Sequence, residues 1–220
     1  MKFLRNNWFY IGSVLFVALA FFMPFAHLYF SHIQLILICS FMSLLVHQFE
    51  EYILPAGAPV IINKVVWKEE ENFRRYQGNT QSIMIVNLSA WVFYIVAIFC
   101  PQFIWLGLGT MFFNLFQFVG HGIQMNKALK TWYNSGLASV VFLFIPIGIY
   151  YMVFVTGNQL ATTWNWIFGV ITFVVAFVVT TVLPVQLLKD KNSPYIIPEW
   201  QVERFNKVKD FASLTKNQKQ

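Results

Sequence analysis

Residues 164–188 read WNWIFGVITFVVAFVVTTVLPVQLL. The run contains no Asp, Glu, Lys or Arg. As a helix rising ~1.5 Å per residue it outspans the ~30 Å hydrocarbon layer of a bilayer. A helix on a water-facing surface would carry charge along its polar face, and this one has none to offer. It reads as a membrane span, and it decides the class of the chain. Further apolar runs stand at 8–30, 32–51, 81–100, 103–125 and 135–156. The expected architecture is therefore all-α, a polytopic membrane helix bundle of about six transmembrane helices.

Composition agrees. Of 220 residues, 58% are hydrophobic and only 11% are charged, against about 25% charged in a typical soluble domain. Mean hydropathy is +0.59. A soluble domain, a disordered chain and a collagen-like chain are all excluded. Lys2, Arg5 and Ala18-Leu19-Ala20 have elements of a cleaved signal, but the apolar run continues to Phe30 and is expected to remain as the first span, kinked at Pro24. Cys39 and Cys100 fall at different depths and are not expected to pair.

The 15 Lys and Arg residues fix an orientation. Lys2 and Arg5 precede the first run; Lys64, Lys68, Arg74 and Arg75 lie between the second and third; Lys127 and Lys130 lie between the fourth and fifth; the other seven, Lys189 to Lys219, follow the sixth. With six spans, all fall on one side, and the turns near 27–32, 101–103 and 156–163 are free of them. The positive-inside rule then predicts both termini in the cytoplasm. The net charge of +6 is explained by this partition, so no nucleic-acid partner is expected. Trp8, Trp105, Trp132 and Trp164 are expected as interfacial anchors. Residues 1–188 form a single transmembrane domain and 189–220 a basic amphipathic tail, with Trp200, Phe205, Val208 and Phe211 as its apolar face. In the long loop 52–80, residues 52–59 should break any helix, and the charged stretch 64–75 should lie on the membrane surface, dipping in Val65, Val66, Trp67 and Phe73.

Ionisable residues at membrane depth are costly and mark function. The second run ends His47-Gln48-Phe49-Glu50-Glu51, and helical spacing i, i+3, i+4 puts His47, Glu50 and Glu51 on one face. The fourth run carries Asn114, Gln117, His121 and Gln124, again one face. Both runs head inward, so His47 and His121 reach similar depths. Asn87 near the start of the third run, and Tyr133 and Asn134 before the fifth, join the same layer under the cytoplasmic face. The predicted site is His47, Glu50, Glu51 and His121, supported by Asn87, Asn114, Gln117, Tyr133 and Asn134. Ser40 and Ser43 are expected to serve helix packing.

On these residues the chain resembles the HXXEE family of small bacterial integral membrane proteins. The motif is His47-Gln48-Phe49-Glu50-Glu51; the family's second histidine matches His121, and its Tyr-x-Pro-Gly element matches Tyr133-Asn134-Ser135-Gly136, with Ser135 in place of the proline. That replacement is expected to loosen the turn into the fifth span. The resemblance covers roughly residues 35 to 140 and implies a bacterial cytoplasmic membrane protein, without supplying a reaction.

Two histidines with one or two carboxylates are the donor set of a divalent metal site, zinc or iron, with His47, Glu50, Glu51 and His121 as ligands. Zinc would support hydrolysis, with Glu50 or Glu51 as general base; iron would support oxygen chemistry. The substrate is expected to be lipid-like, reached from the surrounding membrane lipids. Paired glutamates with His and Asn also resemble intramembrane glutamate proteases of the CAAX-processing type, but Leu54 and Pro55 stand where those enzymes carry Arg. A small proton-coupled transporter and a non-catalytic polar network are the other readings. No protein partner is indicated.

Overall fold

The computed structural model describes residues 1–215; Lys216 and Lys219 of the basic tail lie outside the described residues. Among the described residues the chain is all-α, with one isolated bridge, Thr131 to Ser213, and no strand. The helices are α1 (Lys2–Ala26), α2 (His32–Tyr52), α3 (Ala58–Ile61), α4 (Thr80–Phe99), α5 (Ile104–Phe118), α6 (Asn126–Leu129), α7 (Leu137–Ser139), α8 (Ile145–Gly157), α9 (Thr163–Phe177), α10 (Leu183–Leu188) and α11 (Glu199–Ala212). Wider π turns at Ile62–Val66, Val119–Met125, Val140–Phe144 and Val178–Val182 continue α3, join α5 to α6, α7 to α8 and α9 to α10.

Five helical segments are long and apolar enough to cross a membrane: Lys2–Ala26, His32–Tyr52, Thr80–Phe99, Leu137–Gly157 and Thr163–Leu188. The remaining expected run, 103–125, is helical from Ile104 to Leu129, and the polar side chains of Asn114, Gln117, His121 and Gln124 lower its hydropathy. Capping explains several of the starts. Ser31 with Gln34, Asn79 with Ser82 and Thr162 with Asn165 each form a reciprocal capping box, which satisfies amide groups that hydrocarbon cannot. Pro24 is accommodated inside α1.

The central helix is α2. In its most apolar window 56% of residues are buried, against 11% for α1 and 17% for Thr163–Leu188. The main core joins Leu37, Phe41 and Leu45 of α2 to Tyr94 of α4, Leu108 and Met111 of α5, and Phe144 and Tyr151 of the α7–α8 segment. α2 thus brings its polar C-terminal turn into the middle of the bundle, where other helices surround it.

Several expectations are corrected. Trp8 is no interfacial anchor: it is 1% exposed and packs edge-on against Tyr52. The segment after α2 does not stay unwound to residue 59, because Gly57 in the left-handed region (φ 98°) turns the chain into α3 and its π turn. Val60, Ile61 and Asn63 there are buried; Asn63 donates to the carbonyls of Phe73 and Gly78 and accepts from the Gly78 amide, tying this loop into a fixed shape. The apolar face of α11 holds for Phe205 and Val208 and is corrected for Trp200 and Phe211. Gln201, Phe205, Val208 and Ala212 are buried, while Trp200 and Phe211 are exposed. Gln201 accepts from the Gly57 amide at 2.7 Å and donates to the Tyr52 carbonyl at 3.0 Å, so the tail clamps the turn that follows Glu51. Cys39 and Cys100 are both free thiols.

Candidate functional site

His47 and His121 meet face to edge, with ring centroids 5.0 Å apart and planes at 87°. Glu51 lies between them: its Oε1 is 3.6 Å from His47 Nε2 and 3.4 Å from His121 Nε2. All three side chains are buried, and their donor atoms lie within 4.8 Å of one another. Ligands at about 2.0–2.1 Å from a tetrahedral ion are separated by roughly 3.4 Å, so both Glu51 edges have the length a metal requires. These three residues could hold a metal ion.

The second nitrogen of each ring is fixed. Asn134 donates through Nδ2 to the His121 carbonyl and to Asn126 Oδ1, each at 2.7 Å. Its Oδ1 therefore faces His121 Nδ1, at 2.7 Å, and that nitrogen must carry the proton. His47 Nδ1 is 3.2 Å from the Gly136 carbonyl and 2.9 Å from Ser139 Oγ; a carbonyl only accepts, so this Nδ1 donates. In the neutral tautomers both Nε2 atoms then present lone pairs towards Glu51, as outer hydrogen bonds arrange in histidine metal ligands. A buried carboxylate facing two lone pairs calls for a positive charge among them, a proton or a metal ion.

Glu50 has different surroundings. It accepts from the Ala138 amide (3.0 Å), the Ser139 amide (2.8 Å), the Ser139 hydroxyl and the Tyr133 hydroxyl (2.7 Å). Four donors fill the acceptor positions of a carboxylate, and its charge sits where the Leu137 helix begins, where orphan amides favour an anion. Sequence grouped Glu50 with the ligands; the converging group is His47, Glu51 and His121. Burial, and then the adjoining Glu50 charge, raise the Tyr133 phenol above its ordinary range, so it remains a proton donor to Glu50.

Gly136 makes this assembly possible. It sits at φ 111° before the Leu137 helix, and a Cβ there would lie 2.4 Å from His121 Cε1 and 2.9 Å from His47 Cε1. Only glycine lets the backbone pass between the two rings. Ser135, expected to loosen this turn, is fully buried and donates to the Ala56 carbonyl, so it joins the turn before the fifth span to the turn after α2. His121 itself lies in the π turn Val119–Met125, a local widening frequently found at functional sites.

The other predicted residues divide. Asn134 and Tyr133 contact the site through His121 and Glu50. Gln117 lines the adjoining cavity. Asn87 lines it too, but bonds to Gln48 and Tyr52. Asn114 is a correction: it binds Tyr94 and Ser40, one layer away from the histidines, and is a clip between α5, α4 and α2. Sequence reasoning named Gly136 only as part of the Tyr-x-x-Gly element and passed over Ser139 and Asn126. Ser139 is a buried hydroxyl one turn after Gly136, and that spacing was its only signal.

His47, Glu51 and His121 form part of the wall of a cavity of about 350 Å³. The rest of the wall is mostly apolar, including Leu44, Val86, Ala90, Phe113 and Phe177. The site is thus a small polar cluster facing a largely apolar space, a usual form for sites that bind apolar molecules.

A family model described as "Protein of unknown function with HXXEE motif" matches residues 38–151. The match covers just over half of the chain and contains the histidines, both glutamates and the Gly136 turn; this protein belongs to the HXXEE family. No curated protein and no solved structure matches it.

Proposed function

We propose that this protein is a metal-dependent enzyme of the bacterial cytoplasmic membrane, acting on a lipid-like substrate through His47, Glu51 and His121. The observation that supports this most is the convergence of two imidazole Nε2 atoms and one carboxylate oxygen on the wall of a mostly apolar cavity. Two histidines and one carboxylate with remaining positions open suit a catalytic zinc or a non-haem iron. Such an ion would activate water or dioxygen and polarise a substrate oxygen.

The residues of the chain then have separate tasks. Asn134 and the Gly136 carbonyl hold the two imidazoles in the tautomer that binds. Glu51 would hold the ion through Oε1, leaving Oε2 to take up a proton. Glu50 anchors the Leu137 helix and, through Ser139, orients His47. With Ile104–Leu129 counted as a sixth span, both termini lie in the cytoplasm and the site lies under the inner leaflet; the partition of Lys and Arg supports this arrangement.

A second reading, a metal-free proton-sharing network or a proton-linked carrier, draws on the 3.4 Å contact of His121 with Glu51. The two are separated by incubating purified protein, loaded with zinc or iron, in vesicles of bacterial polar lipid and following the lipids by mass spectrometry. The enzyme reading expects a hydrolysed or oxygenated lipid with wild type and none with Glu51→Gln. An unchanged lipid pool under both metals contradicts it.

A further inference from the structure

The cavity has a side opening whose position follows from how α5 and α9 cross. Midway along α5 and α9 the two helices touch closely. A Cβ on Gly109 would lie 2.7 Å from Thr172 Cγ2, and one on Gly169 would lie 2.8 Å from the Leu108 Cβ. Phe116 then packs on Phe173 and Phe177, with centroids 5.2 Å apart in each pair. About 18 Å beyond the Gly109 and Gly169 contacts, at ~1.5 Å per residue, the helices have separated. Gln117, Gly120 and Gln124 on one side and Phe177, Thr181 and Val185 on the other all line the cavity. A Cβ on Gly120 would meet no atom within 4 Å.

The surroundings of this gap show what it faces. Phe116 and Gln124 line the cavity and are also exposed, so the cavity reaches the surface here. Exposed apolar residues on these segments include Phe118, Val119 and Ile123 on one and Val178, Val179 and Leu183 on the other. An opening between two membrane helices, edged by exposed apolar side chains, faces hydrocarbon. The polar cluster lies at its inner end, and Leu44, Ala90 and Phe113 extend the apolar wall beyond.

We propose that the gap between residues 117–124 and 177–185 is a lateral portal through which the apolar chain of a membrane amphiphile enters from the bilayer, placing its polar group beside Glu51. The portal deepens the enzyme reading above and rests on its lipid-directed part. Gly120 keeps the entrance open.

The test uses the full-length protein in phosphatidylcholine vesicles doped with a phospholipid carrying a diazirine at the end of one acyl chain. After irradiation, labelled residues are mapped by mass spectrometry, and metal content is measured on the same samples. The expected labels include Leu44, Ala90 or Phe113, which are buried in the bundle and out of reach of lipid that stays outside. Gly120→Trp should lower these labels at least tenfold while leaving those on the outward-facing Val92 and Val153. Thr181→Trp, closing the gap from the opposite wall, should do the same. Labels confined to outward faces in wild type overturn the proposal, as do interior labels that persist in both variants. The wild-type map decides alone if neither variant folds. Interior labelling in protein that holds no metal keeps the portal and removes the metal centre; outward labelling alone in metal-loaded protein does the reverse.

Discussion

Glu50 and Glu51 are neighbours in the chain with opposite surroundings: Glu50 accepts four hydrogen bonds from the Tyr133–Ser139 segment, whereas Glu51 turns Oε1 to two imidazole nitrogens. One carboxylate is consumed by structure and the other is left to bind. The ~100° between consecutive helical residues is enough to send the two into different partners.

This division predicts different failures for the same substitution. Glu51→Gln should keep its folded yield and lose bound metal. Glu50→Gln places an amide NH2 among donors, leaving buried N–H or O–H groups unpaired at about 1–3 kcal/mol each. It should lower the midpoint of thermal unfolding in detergent while retaining some metal. Equal loss of metal with unchanged melting in both variants would mean that Glu50 is a ligand as well.

Gly136→Ala should be among the most damaging single-methyl changes in the chain. The left-handed backbone alone costs roughly 1 kcal/mol or more for a residue with a Cβ, and the added carbon would lie 2.4 Å from the His121 ring. Thermal unfolding and metal content should fall together. By contrast Gly157→Ala, where a Cβ meets nothing within 4 Å, should leave metal content unchanged.

Asn134→Leu removes the acceptor that fixes the proton on His121 Nδ1. Loss of such an outer partner typically weakens metal affinity 10–100-fold. Titration with a competing chelator should show a drop of that size, and Asn114→Leu, which breaks the contacts with Tyr94 and Ser40 instead, should show none. An equal effect of the two would remove the tautomer argument.

The layer of the site was legible in the sequence because helical spacing alone puts His47, Glu50 and Glu51 on one face and aligns Asn114, Gln117 and His121 on another. The split between the two glutamates was not, since it depends on where the chain from Tyr133 to Ser139 docks, more than 80 positions away. Asn114 shares a stripe with His121, but sits nearly two turns deeper, and depth within a helix decides which partners it meets. Trp8 looked like an anchor because it begins an apolar run; α1 starts at Lys2 instead and carries it inside. For α11, Phe205 and Val208 are buried as the apolar spacing suggested, but the Gln201 contacts with Gly57 and Tyr52 turn the helix so that Gln201 and Ala212 join them and Trp200 and Phe211 stay exposed.

Reporter fusions at Gln102 and Gln159, in the turns after α4 and α8, should both give a periplasmic signal. A cytoplasmic signal at either would remove the sixth span at Ile104–Leu129 and the placement of the site under the inner leaflet.

Elemental analysis of the detergent-purified protein, wild type beside His121→Ala, tests the central claim most directly. The account predicts about one equivalent of zinc or iron in wild type, as a single mononuclear site holds, and its loss in the variant with folded yield preserved. Folded wild type that takes up neither metal, or a His121→Ala protein that keeps its full equivalent, would contradict it.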